Sequence, residues 1–150
     1  MISSRETIYA ALFALAAQSA GYVTTSRYLQ HWSEVSPEAQ PALYQRQVSE
    51  SVARVRGVPQ QMTLNVEIYI YVRTNAQMLD PTIVPSTLMN PLLDALETAL
   101  APTGKDLQLQ TQTLGGLVSH CWINGTTEIF EGFLADQAVA IVPISILVPA

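Results

Sequence analysis

A chain of 150 residues, 49% hydrophobic and only 13% charged, suits one domain that buries roughly 70% of the surface its unfolded chain exposes. Its charged share is about half the usual ~25%, too small to cover a monomer's surface in the ordinary way, which favours burial against partners. The net charge of −5 is uneven: six Arg against five Glu up to residue 75 (+1), then Lys105 against four Asp and three Glu (−6). That acidic half would repel a phosphate backbone and argues against nucleic-acid binding by charge neutralisation.

The opening MISSRETIYAALFALAAQSAG has the outline of a signal peptide: one Arg, an apolar run, and small residues near Ser19 and Ala20. Glu6 lies in the would-be positive region, Ser3 and Glu6 form an S-x-x-E capping box, and Gly21 follows as a helix stop, so the expectation is a retained helix over residues 4–20. Ile8, Leu12, Leu15 and Ser19 form its stripe, broadened by Tyr9, Phe13 and Ala16. The apolar length is too short to span a bilayer.

Residues 23–35 predict a short strand leading into a surface loop, since SEVSPEAQPA carries two prolines and turn residues. LYQRQVSES from Leu43 predicts a strand. Arg54, Arg56, Gly57 and Pro59 then punctuate a turn into LNVEIYIYVRT, Leu64 to Thr74, which alternates without a break. Leu64, Val66, Ile68, Ile70 and Val72 define a core face, and Asn65, Glu67, Tyr69, Tyr71 and Arg73 the other. An antiparallel pair of residues 43–52 with 61–74 follows.

After a linker over 75–85, Asn90 and Pro91 read as the N-cap and first residue of a second helix. Leu92, Leu93, Leu96 and Leu100 line its apolar face, Asp94 and Glu97 its solvent side, and Pro102 and Gly104 end it. Residues 103–113 read as a weak strand or extended loop. LVSHCWI from Leu117 is a strand, Asn124-Gly125 a hairpin turn and TTEIF its return. AVAIVPISILV from Ala138 closes the chain as a strand in which Pro143 removes a ladder donor, so an edge position or a bulge is expected. The sum is an α+β domain, a mostly antiparallel sheet with two helices on one face.

Catalytic signatures such as G-x-S-x-G, the P-loop and H-E-x-x-H do not occur in the sequence. His31 and His120 are the only histidines, and a metal set of His120, Cys121 and Asp136 would draw on opposite faces of one strand. The lone Cys121 excludes an intramolecular disulfide, fits a reducing compartment and reads as a buried structural thiol. Glu128 with Glu131, and Asp94 with Glu97, read as solvated positions rather than tuned acid pairs. No catalytic, cofactor or metal residue is assigned. Interaction is the remaining theme: Tyr and Arg are enriched at interfaces, and Tyr69, Tyr71 and Arg73 present them in line. Arg54, Arg56 and Trp32 extend this set, with intramolecular cross-strand pairing as the alternative.

The segments ETIYAALFAL, EIYIYVRT, NPLLDALETALAP, LGGLVSHCWI and DQAVAIVPISILV, in that order, resemble the tail terminator, or tail completion, proteins of long-tailed phages, the lambda-type minor tail family. The resemblance implies a ring-forming subunit, six copies capping the head-proximal end of the tail tube in the virion. Such a ring ends tube growth and joins the neck proteins, with the major tail tube protein and the head-tail connector as partners and DNA passing through unbound. Asp94, Glu97, Asp106, Glu128, Glu131 and Asp136 are then candidates for a DNA-repelling channel lining. A tube subunit or head-side connector stays open as an alternative, as does a small enzyme or ligand-binding domain with a cleft near His120 and Trp122. On the interface reading, serine at Tyr69 and Tyr71 leaves the fold near intact and weakens assembly.

Overall fold

Residues 61–73 alternate apolar and polar side chains, and in the computed structural model, which describes residues 3–73, 84–131 and 137–149, they form the long strand around which the molecule is built. The elements in chain order are α1 (Arg5–Ala17), β1 (Thr24–Ser26), β2 (Ala42–Ala53), β3 (Gln61–Arg73), α2 (Pro85–Ala99), β4 (His120–Ile123), β5 (Glu128–Glu131) and β6 (Gln137–Val148). Short 3-10 turns lie at Trp32–Glu34, Pro37–Ala39 and Gly104–Leu107. The fold is α+β: a six-stranded sheet in the order β1-β2-β3-β6-β4, with β5 also on β6, antiparallel except for β1 beside β2.

Both helices pack on the face that Leu64, Val66, Ile68, Ile70 and Val72 present. Ile8, Tyr9, Leu12 and Ala16 of α1, Met89 and Leu96 of α2, and Val142, Ile144 and Ile146 of β6 complete this core. Polar contacts fix α1 against β2. Arg5 Nε and Tyr9 Oη both donate to Glu50, at 2.9 and 3.1 Å, and the buried Gln45 donates to the Tyr9 carbonyl at 2.9 Å.

Several local expectations are corrected. The cap of α1 is Ser4, whose Oγ accepts from Thr7 N at 3.2 Å, and Glu6 is drawn instead to Arg27 of the loop after β1. The helix ends at Ala17, before the glycine at 21. Helix α2 begins at Pro85 rather than after Asn90, so Pro91 lies inside it. Pro85 supplies the first-turn proline, where its missing N–H is free of cost, and the Asn90-Pro91 pair mimics that signature one and a half turns later. Of the two readings of residues 103–113 the loop holds, with a 3-10 turn at Gly104–Leu107.

Asn124-Gly125 does not make a hairpin. His120 pairs with Leu147 and Ile123 with Ile144; Glu128 then pairs with Ile141 and Glu131 with Ala138, both antiparallel to β6. The chain therefore keeps its direction, and Asn124 to Thr127 form an excursion opposite Val142 and Pro143. Pro143 accordingly sits in an interior strand: its carbonyl accepts from Asn124 N at 3.0 Å, so its absent N–H would point into the excursion and not toward β3. The excursion accommodates the proline without an edge position or a bulge in β6. Gly125, at φ +116°, stands over the Pro143 ring, where a Cβ would meet Cγ at 3.4 Å.

Ile68, fully buried at the middle of β3, is expected to cost about 2–5 kcal/mol on truncation to Ala, read as a lowered urea midpoint. Val55→Ala, at a position 63% exposed, is expected to stay within about 0.5 kcal/mol of the parent.

Candidate functional site

The outer face of β3, opposite the helices, divides along its length. In its middle, Arg46 Nη1 donates to Glu67 at 2.7 Å and Tyr69 Oη donates to the same carboxylate oxygen at 3.2 Å. Asn65, Ser145, Ser49 and Asn124 join a hydrogen-bonded chain across four segments, with links of 3.0 to 3.1 Å. This polar zone is intramolecular, and its exposed ion pair adds little stability.

At the β1 end the same face carries a second apolar cluster of Val35, Ala42, Tyr44, Tyr71 and Val139, covered by the loop that contains the turns at 32–34 and 37–39. Tyr71 is 3% exposed and donates its hydroxyl to the Gln30 carbonyl at 2.6 Å. Its ring lies 5.4 Å from that of Tyr44. The expectation that Tyr71 stands on an open interface is corrected: the loop from Leu29 to Ala39 already occupies that surface, and the tyrosine anchors it. Tyr69 and Trp32 are half-buried at its margin, and Arg73 is half-buried at the end of β3 opposite Gln137.

Between loop and sheet lies a cleft of about 410 Å³ lined by Leu29, Gln30, His31, Trp32, Tyr69, Tyr71, Phe130, Val139 and Ile141, a size that suits ligand or peptide side chains. The structure thus brings Trp32, Tyr69 and Tyr71 together and adds Phe130, which is 40% exposed. Phe130 escaped the sequence reading because a hairpin at Asn124 would have placed it elsewhere. Its spacing from Glu128 on one strand is the signal that both share the outer face, through Ile141 and Val139.

Arg54 and Arg56 do not join this group. They lie at the turn between β2 and β3, and ten residues of strand separate Gln61 from Tyr71, roughly 34 Å at ~3.4 Å per residue. From Arg46 onward β2 is exposed, and among the described residues the only strand paired with it besides β3 is β1, which reaches no further than Tyr44. Val48, Val52, Val55 and Val58 are 44–63% exposed along this ribbon, whose register with β3 shifts between Gln47 and Ser49.

The acidic candidates do not form one surface. Asp94 and Glu97 are exposed on α2, on the helix side; Glu128 lies on the opposite face of the sheet, in register through Ile141 with Tyr69; Glu131 returns to the helix side. Asp106 Oδ2 accepts from Thr113 N and Oγ1 at 3.0 and 2.9 Å and holds a loop. Asp136 lies outside the described residues. Near β4, His120 stacks on Trp122 at 4.8 Å, its Nδ1 accepts from Gln112 N at 3.1 Å, and with Glu97 they line an open cleft of about 570 Å³. Cys121 is buried and unpaired, and burial pushes its thiol up to about 12. Among the described residues, no helix is long and apolar enough to cross a membrane.

In comparison with known proteins, no family model and no curated sequence matches the chain.

Tyr71→Phe is expected to lower stability by about 0.5–1.5 kcal/mol through the lost bond to Gln30, and Tyr71→Ser by about 3–5 kcal/mol through the emptied ring site. Trp32 fluorescence should report release of the loop in the serine variant. Burial also raises the phenols of Tyr71 and, to about 12, those of Tyr9 and Tyr22. Because these folded values exceed the unfolded ones, the stabilisation is complete at neutral pH and lost as pH rises. The urea midpoint should hold to about pH 8.5, decline as the unfolded Cys121 thiol ionises, and fall more steeply above about pH 10.

Proposed function

We propose that the protein is a structural ring subunit of the phage tail terminator kind, which caps the head-proximal end of a tail tube, ends its growth and offers a joining surface to the neck. The observation that carries this reading is the ribbon of β2 and β3. From Ser51 to the turn it runs past the Arg5–Glu50 ion pair that ties β2 to α1, exposes Val52, Val55 and Val58, and among the described residues the edge of β2 from Arg46 to Ala53 pairs with no second strand. A tube grows by repeated contacts that each offer a fresh copy of the same acceptor face. A terminator needs one surface that fits the last ring and another that refuses the next tube subunit. A sheet whose two faces differ in chemistry, helices on one and a polar zone with an aromatic cleft on the other, suits that division.

A ligand-binding reading has one observation in its favour, the cleft in which Glu97, His120 and Trp122 converge. It would be supported by a small-molecule screen that finds a binder displaced by Trp122→Ala.

Mass photometry of the purified protein, alone and with tail tubes, is expected to show a species of six-fold mass, and negative-stain images to show rings. Added to growing tubes, the protein should shorten them. Filaments of the protein alone would point to a tube subunit. A strict monomer that leaves tube growth unchanged would contradict the proposal.

A further inference from the structure

The turn between β2 and β3 and the aromatic cleft are matched in chemistry and lie at opposite ends of one sheet. Val58 N donates to the Val55 carbonyl at 3.0 Å, and Gly57 at φ +82° completes the turn. This projects Val55 and Val58, 63% and 53% exposed, from the ribbon's end. Arg54 precedes the turn, Arg56 lies within it, and neither makes an ion pair with any described residue. The cleft offers the reverse: an apolar floor of Tyr69, Phe130 and Ile141 beneath Trp32, about 410 Å³ in volume. Its two nearest exposed carboxylates in sequence are Glu34, two residues beyond Trp32, and Glu128, two residues before Phe130 on the same sheet face. Both are likewise without an ion pair among the described residues.

Within one chain the turn cannot reach the cleft, because roughly 34 Å of stiff, paired strand keeps them apart. We propose that the turn of one copy docks in the cleft of the next, Val55 and Val58 on the aromatic floor and Arg54 and Arg56 against Glu34 and Glu128. The proposal deepens the ring reading and rests on it. A contact that joins unlike surfaces is head-to-tail, so every copy gives one turn and receives one. Burying the exposed valines against Phe130 and the half-buried Tyr69 and Trp32 supplies the favourable free energy, and the charges select the partner and the register.

The test is charge reversal on surface positions, with far-UV circular dichroism checking the fold. Arg54→Glu with Arg56→Glu is expected to weaken assembly at least tenfold in mass photometry. Adding Glu34→Lys and Glu128→Lys to the same chain is expected to restore it. Rings unaffected by the arginine reversals would overturn the docking while leaving the ring reading intact. Reversed variants that still form rings but no longer cap tubes would overturn it as well, by assigning the turn to the tube protein. A parent that stays monomeric with tubes present would overturn the ring reading and the docking together.

Discussion

The pairing of β3 with β2 and β6 is the interaction on which everything else depends. β3 is bonded along its length on both sides, to β2 from Gln61 to Tyr71 and to β6 from Met62 to Arg73. Because strand side chains alternate, that pairing sets two surfaces at once. One parity, Leu64 to Val72, seats both helices and makes the main core. The other, Asn65 to Arg73, makes a polar network in the middle and the floor of an aromatic cleft at one end. A one-residue slip of β3 would exchange the two faces, so the register is held by a large apolar penalty.

The ends of the sheet expose the side chains that the proposed contacts would use. Toward Tyr71 the loop from Leu29 to Ala39 closes over a second cluster and leaves a cleft at its margin. Toward Gln61 the ribbon outruns the helices and exposes valines and arginines. The molecule thus separates a stable centre from two surfaces that water covers poorly. Such surfaces in a chain with 13% charged residues are where partners gain most.

How far the sequence revealed this differs from element to element. The alternation of LNVEIYIYVRT located the main core and its pairing with residues 43–52, because periodicity reports burial directly. The apolar run AVAIVPISILV located the last strand, yet Pro143 suggested an edge or a bulge. The excursion at Asn124 that shelters the proline is a tertiary arrangement invisible to local pattern. Likewise Tyr69 and Tyr71 were legible as an aromatic face, but Tyr71 proved to anchor a loop. The loop's own sequence, rich in Ser, Glu and Pro, gave no sign that Leu29, Trp32 and Val35 fold back onto the sheet. Arg54 and Arg56 were grouped with the tyrosines by residue type, whereas the geometry puts them at the far end of the ribbon.

Native-state hydrogen exchange, compared between isolated and assembled protein, tests most directly the claim that β3 anchors a rigid centre while its two ends serve as contact surfaces. The slowest amides are expected in β3 and β6 in both states, with fast exchange over Arg46–Val58 in the isolated chain and new protection over that ribbon and over Leu29–Trp32 on assembly. Rapid exchange of β3 itself, or assembly that protects neither the ribbon nor the loop, would contradict that claim.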